Sequence, residues 1–171
     1  AYEPAKRLAR LNIELNAGFA TVANGGTYIK PKLYTKVVDH EGNVVLDNTA
    51  PQSKQVIKAT TAFLLTSAME DVVKKGTGTA CNFGGTAIAG KTGTTSDEND
   101  VWFSGFTTYY TATTWAGYDN NVDLTTSTEQ HLAKTLWRKT MEKIHSDLPS
   151  TNFKVPDGIV TATVCSKSGK L

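Results

Sequence analysis

Gly84-Gly85-Thr86-Ala87-Ile88-Ala89-Gly90-Lys91-Thr92-Gly93-Thr94-Thr95 is the stretch on which the reading of this sequence turns. From Gly85 it satisfies GxxxxGK[ST], the pattern of a phosphate-binding loop. From Lys91 it is Lys-Thr-Gly-Thr, which suits a strand that offers its edge to an extended peptide. The two readings demand different neighbours. A phosphate-binding loop needs a buried strand before it and a helix after it, whose amides cradle the phosphates. Upstream, Gly76-Thr77-Gly78-Thr79-Ala80-Cys81-Asn82-Phe83 makes a poor buried strand. Downstream, Thr94-Thr95-Ser96-Asp97-Glu98-Asn99-Asp100 leads into aromatic strands, with no amphipathic helix for some thirty residues and no evident apolar strand ending in a magnesium-binding Asp. The strand reading fits its surroundings. Gly93 lets a ligand or neighbouring strand approach the backbone, Lys91 supplies positive charge, and the threonines supply hydroxyl donors for a carboxylate. Alternation sends Lys91 and Gly93 to one face and Thr92 and Thr94 to the other. Strand twist must therefore bring the useful groups to one cleft.

Working outward, residues 88–95 and 101–118 read as strands, the second stretch as two with a break near Thr107-Thr108. Ser127-Thr128-Glu129-Gln130 has a capping-box pattern and opens a helix over about 128–147. Its buried stripe is expected at Leu132 or Ala133, Leu136, Met141 and Ile144. Before the central stretch, a helix is expected from about Thr60 to Lys75, with Thr61, Leu65, Ala68, Met69, Val72 and Val73 inside. Residues 4–23 form another, with Leu8, Leu11, Leu15, Phe19 and Val22 recurring at helical intervals. Asn24-Gly25-Gly26 ends it, because glycine adopts left-handed backbone at little cost. Tyr28 to Val38 is β-like but interrupted by Pro31, and Asp39-His40-Glu41-Gly42-Asn43 turns it into Val44-Val45-Leu46, a hairpin. From Pro149 onward, Pro156, Gly158 and several Ser and Lys residues read as a peripheral tail or linker.

With 171 residues, 39% apolar and 20% charged, the chain has the composition of a soluble globular fold of about one domain. A net charge of +2 argues against a nucleic-acid partner. No membrane segment or signal-peptide run is present in the sequence. Cys81 and Cys165 have no zinc spacing; they could pair across the fold or remain thiols. His40, His131 and His145 are scattered, and His131 and His145 read as solvated helix residues. Neither a metal nor a cofactor is expected.

Four spaced stretches together resemble the transpeptidase domain of penicillin-binding proteins, most closely the class A, bifunctional type. They are Phe19-Ala20-Thr21-Val22-Ala23-Asn24-Gly25-Gly26-Thr27-Tyr28 and Gly76-Thr77-Gly78-Thr79, then Gly90-Lys91-Thr92-Gly93-Thr94-Thr95 and Asp100-Val101-Trp102-Phe103-Ser104-Gly105-Phe106-Thr107. Trp115-Ala116-Gly117-Tyr118-Asp119 resembles the next strand. The resemblance covers roughly residues 12–147. It implies an α+β fold in which an antiparallel sheet is flanked by helices, part of the transpeptidase fold shared with serine β-lactamases. It further implies acyl transfer between peptidoglycan stem peptides, with β-lactams acylating the same serine. Carried over by position, Lys91 would supply positive potential, and Thr92 and Thr94 hydroxyls would hold the substrate carboxylate. The Thr94 amide would help form the oxyanion hole. Gly93 and Thr95 complete the substrate-binding set. Trp102 and Phe103 are expected in packing.

The nucleophile that this chemistry requires is missing. No serine is followed three residues later by lysine; Thr140-Met141-Glu142-Lys143 comes nearest, in the last helix. Ser150-Thr151-Asn152 imitates the family's Ser-x-Asn motif but follows the third motif instead of preceding it. The expectation is therefore a C-terminal part of a transpeptidase domain over residues 1–148, with residues 149–171 as tail or linker. A companion N-terminal segment would carry the serine, and the chain alone would be inactive. The family setting implies the outer face of the bacterial cytoplasmic membrane, with an anchor outside this chain. The alternatives are a fragment of a D-Ala-D-Ala carboxypeptidase or serine β-lactamase, a phosphate-loop nucleotide-binding protein, and a non-catalytic peptidoglycan-binding module.

Overall fold

The computed structural model describes the backbone of residues 3–170 and side chains from residue 12 onward. At its centre, β5 (Ala89–Thr94), β6 (Asp100–Phe106) and β7 (Thr111–Gly117) form an antiparallel sheet in that spatial order. These residues form strands because β-branched and aromatic side chains dominate β6 and β7, and the pleat sends them alternately to two covered faces. The register pairs Gly90 with Gly105, Lys91 with Ser104 and Gly93 with Trp102.

One face of the sheet lies under α1 (Glu3–Ala23). Phe19, Val22 and Ala23 of α1 pack with Met69, Ala89 and Phe106, and Asn16 Oδ1 accepts a hydrogen bond from Thr113 Oγ1 at 3.3 Å. The opposite face lies under α3 (Ser127–Ile144). There Trp137 and Phe103, both fully buried, meet edge to face with ring centroids 4.9 Å apart. The Trp137 indole N–H donates to Ala112 O at 3.0 Å, so the ring's polar atom is satisfied inside the core. Helix α2 (Ala59–Lys75) contributes to both layers, with Met69 toward the α1 side and Val73 toward Trp137. Between α1 and α2, β1 (Thr27–Ile29) pairs with β4 (Ser53–Gln55), and β2 (Lys36–Val38) pairs with β3 (Val44–Asp47) as a hairpin. Gly26, at φ +89°, links α1 to this arm; a Cβ there would lie 2.1 Å from Ile57 O, so only glycine fits.

Three buried stripes differ from the sequence reading. Helix α2 buries Ala62, Thr66, Met69 and Val73, while Leu65 is 46% exposed and Thr61 and Ala68 face solvent. Helix α3 buries Ala133, Trp137 and Met141, leaving Leu132, Leu136 and Ile144 exposed. In α1, Leu15 is exposed and Ala17 and Thr21 are inside; Leu8 and Leu11 fall outside the described side chains. The inward faces mix small or polar residues (Ala17, Thr21, Ala62, Thr66, Ala133) with large apolar ones (Met69, Val73, Trp137, Met141), because a close-packed layer selects side chains by the space each position leaves, not by hydropathy alone. The cap of α3 is Thr126, one residue before the expected motif, with Glu129 completing the capping box.

His145 is also corrected: it is 8% exposed, not solvated. Its ring lies among Phe83, Tyr109 and Tyr110, with Nε2 2.9 Å from Thr107 Oγ1 and Nδ1 2.7 Å from Met141 O. The imidazole thereby ties the end of α3 to the turn between β6 and β7. Both cysteines are free thiols, Cys81 buried and Cys165 exposed. Residues 149–170 have no regular secondary structure, yet the segment docks at the far end of β5. Ala87 N–H donates to Thr151 O at 3.0 Å, and Phe153 meets Phe106 edge to face.

Candidate functional site

Strand β5 carries the Lys-Thr-Gly-Thr sequence at the edge of its sheet, with α2 alongside. It is held from behind by a row of contacts without slack. A Cβ on Gly90 would stand 2.6 Å from Phe103 Cζ and 2.9 Å from Ser104 O. On Gly93 it would stand 3.2 Å from Trp102 Cβ, so that glycine lets the edge strand lie close over the tryptophan. Trp102 is half-buried against Trp115, whose indole N–H donates to Asp100 Oδ1 at 2.6 Å, and Phe103 is core. Both were expected in packing, and both are found there.

The facing problem is solved at the free edge. Lys91 and Thr92 leave the strand toward opposite faces, but the long Lys91 side chain bends back over the edge. Its Nζ donates to Thr92 O at 3.0 Å and lies 3.4 Å from Thr92 Oγ1. The Thr92 carbonyl therefore points away from β6. By the two-residue period, the N–H and C=O of Thr94 point the same way, outward and unpaired by the sheet. Thr95 N–H instead bonds inward, to Asp100 O at 3.2 Å. One edge thus presents an ammonium, two threonine hydroxyls and the outward backbone groups of Thr94. Lys91 and Thr94 are exposed, and Thr92 and Gly93 are half-buried.

Thr95 has a second task. Its Oγ1 accepts from Asn99 N–H at 3.0 Å and Asp100 N–H at 3.1 Å, which closes the turn between β5 and β6. Thr77, quoted in the sequence but given no role there, reaches the site: its Oγ1 lies 2.8 Å from Thr92 Oγ1. The signal was present in Gly76-Thr77-Gly78, a helix stop directly before the motif strand. Nothing in one dimension said which motif residue Thr77 would meet. A cavity of about 190 Å³ beside these hydroxyls is lined by Thr77, Thr92, Thr94, Gln130 and Lys134 among others. Ser150-Thr151-Asn152 lies at the opposite end of β5, where Thr151 O bonds Ala87 N–H.

The geometry disposes of the phosphate-loop reading. Gly90, Lys91 and Thr92 lie within a paired strand, and no helix starts at Lys91 to aim its amides at a phosphate. The family model for the penicillin-binding protein transpeptidase domain matches residues 12–142. The chain belongs to the penicillin-binding protein transpeptidase family. Penicillin-binding protein 1A of Clostridium botulinum (strain Langeland) is 39% identical over 154 residues, covering 90% of this chain and 18% of that protein. Penicillin-binding protein 1A of Clostridium perfringens (strain ATCC 13124) is 35% identical over 155 residues, covering 91% of this chain and 19% of that protein. The chain thus spans about a fifth of the length of these relatives. Among solved structures, penicillin-binding protein 1A from Haemophilus influenzae superposes with a TM-score of 0.79 at 23% identity, over 92% of this chain and 30% of that one. The α+β fold expected for this transpeptidase family is the one observed. No helix among the described residues is long and apolar enough to cross a membrane.

Proposed function

We propose that this chain is the substrate-binding part of a peptidoglycan D,D-transpeptidase, with β5 as the strand against which the stem peptide is laid. The observation that carries the reading is the edge of β5, where Lys91 Nζ folds back to Thr92 and the Thr94 backbone faces outward. An extended peptide ending in a carboxylate is complementary to that edge: its backbone pairs with Thr94, and its terminal anion meets an ammonium and two hydroxyls. Lys91 supplies the positive potential, Thr92 and Thr94 hold the carboxylate, and the Thr94 N–H helps bind the oxyanion. Gly93 keeps the strand flat enough for the ligand, and Thr95 closes the end of the site. Preorganised donors of this kind contribute about 3 kcal/mol each to acyl transfer.

The acyl-accepting serine belongs to a companion N-terminal segment of the same domain. Among the described residues no strand pairs with the outer edge of β7, and an open edge of a central sheet calls for cover. That supports residues 1–148 as the C-terminal part of the domain and 149–171 as its tail. The complete protein acts on the outer face of the cytoplasmic membrane and is acylated by β-lactams. Cross-linking is preferred over simple hydrolysis, as in a carboxypeptidase or β-lactamase, because the family model that matches residues 12–142 is that of a transpeptidase domain.

The test is labelling of the complete protein with a fluorescent penicillin, followed by peptide mapping. The label is expected on a serine outside this chain and is expected to fall at least about a hundredfold in Lys91→Ala, on the scale of losing one preorganised group. A label on any residue of this chain, or an unaffected Lys91→Ala, overturns the reading.

A further inference from the structure

Thr77 stands between the end of α2 and the site, and no role above uses its hydroxyl. The chain delivers it by folding back over the last turn of α2: Gly76 N–H and Gly78 N–H both donate to Val72 O, at 3.1 and 3.0 Å. Gly78 makes this turn against the core, where a Cβ would lie 3.2 Å from Phe103 Cε2. Thr77 is thereby held at the β5 edge by packing that leaves it little choice of place. Its Oγ1 ends 2.8 Å from Thr92 Oγ1.

We infer that Thr77 is a positioning residue: it donates its hydroxyl proton to Thr92 Oγ1 and so commits the proton of Thr92 to the ligand's carboxylate. The inference rests on the reading of Thr92 as a carboxylate-binding residue and deepens it. A hydroxyl has one proton to give and two lone pairs to receive. Lys91 Nζ, which can only donate, approaches one lone pair of Thr92 Oγ1 at 3.4 Å. Either hydroxyl of the Thr77–Thr92 pair can donate, and in the inferred arrangement Thr77 donates and fills the other. What remains to Thr92 is its own proton, and an acceptor-only group such as a carboxylate is the partner that satisfies it. The adjoining cavity has the same polarity, since Lys134 lines it and has no ion-pair partner among the described residues. With Thr77 in place the donor points at the anion before the ligand arrives. Without it the Thr92 hydroxyl turns freely, and its proton must be oriented at the ligand's expense.

The experiment uses the complete protein and two fluorescent penicillins, one with its free carboxylate and one with that carboxylate methyl-esterified. Concentration-dependent acylation rates separate binding from the acylation step. Thr77→Val keeps the shape and removes the hydroxyl; Thr77→Ala removes it again if the valine variant does not fold. Binding of the acid is expected to weaken roughly fivefold to tenfold, the scale of one lost hydrogen bond, with the saturated acylation rate unchanged. Thr77→Ser is expected to restore binding, and the ester is expected to show no difference between variants. A merely structural Thr77 would lower the melting temperature and affect acid and ester alike. Unchanged acid binding in Thr77→Val and Thr77→Ala, equal losses for acid and ester, or no rescue by serine overturns the inference. Thr92→Val separates the two levels. If it weakens acid binding while the Thr77 variants do not, only the role of Thr77 falls. If it has no effect, the carboxylate reading of Thr92 falls with it.

Discussion

Adding one methyl group to Gly90 should damage both the fold and the site, and the structure says by how much. The new Cβ would stand 2.6 Å from Phe103 Cζ, 2.9 Å from Ser104 O and 3.0 Å from Gly105 Cα. Carbon atoms in contact prefer separations of about 3.5–4.0 Å, so relief requires a shift of roughly 1 Å. Phe103 cannot supply it, because its ring is fully buried and braced edge-on against Trp137 at 4.9 Å. The other two atoms are backbone of the paired strand. Strand β5 must therefore move, and Lys91 is the next residue along it. Overpacking of this kind costs about 1–3 kcal/mol, which lowers Tm. A 1 Å misplacement of a catalytic group costs on the order of a hundredfold in rate. Gly93→Ala is the internal comparison. Its nearest contact, 3.2 Å to Trp102 Cβ, asks for a shift of a few tenths of an ångström between the strands, against roughly 1 Å at Gly90. The assay is thermal unfolding of the complete protein beside its penicillin acylation rate. Gly90→Ala should lose more in Tm than Gly93→Ala, and should also lose acylation. A Gly90→Ala variant with native Tm and native acylation would refute the argument that this packing places Lys91.

Trp137→Ala should cost about 3–5 kcal/mol by denaturant unfolding, since it empties the centre of the core and strips Ala112 O of its donor. Glu129 links stability to pH. Tyr118 Oη donates to it at 2.5 Å, and Thr126 adds its N–H and hydroxyl at 2.9 and 2.8 Å, which holds the carboxyl at about 2. A group depressed on folding contributes its stability above the unfolded value near 4.5, and that contribution disappears as pH falls toward 2. Tm should therefore decline through this window, and Glu129→Gln should flatten that decline; an identical pH profile in the variant would show that the cap is not responsible. The thiols should react in order. Burial pushes Cys81 up to about 12, whereas the Ser168 hydroxyl bond lowers exposed Cys165. Iodoacetamide followed by mass spectrometry should find Cys165 modified in the native protein and Cys81 only after unfolding.

The elements were legible because their signals are local. Helix stops at Asn24-Gly25-Gly26, the turn at Asp39 to Asn43 and the aromatic runs of β6 and β7 depend on residues near one another in the chain. The inner faces of the helices were less so. Leu65, Leu132 and Leu136 have the hydrophobicity of core residues, yet they stay exposed while Ala62, Thr66 and Ala133 are buried beside Met69, Trp137 and Met141. Hydropathy ranks transfer from water; it does not measure the distance to the neighbouring layer. His145 was misjudged for a related reason. Its burial depends on Thr107, Tyr109 and Tyr110, which lie on the β6–β7 turn, far away in sequence.

From the sequence alone came the motif strand, its order among the other family stretches, and the lack of a Ser-x-x-Lys nucleophile. Those are matters of residue identity and spacing, which folding does not alter. Alternation placed Lys91 and Thr92 on opposite faces, and only the tertiary structure decided how they meet. Because β5 is an edge strand, nothing blocks the Lys91 side chain from turning over it to Thr92, and the outward amide of Thr94 stays unpaired. The fold back of Gly76-Thr77-Gly78 onto Val72 then adds Thr77 to the same edge. Each of these facts depends on which backbone groups the sheet leaves unpaired, and that is settled only when the strands have found their partners.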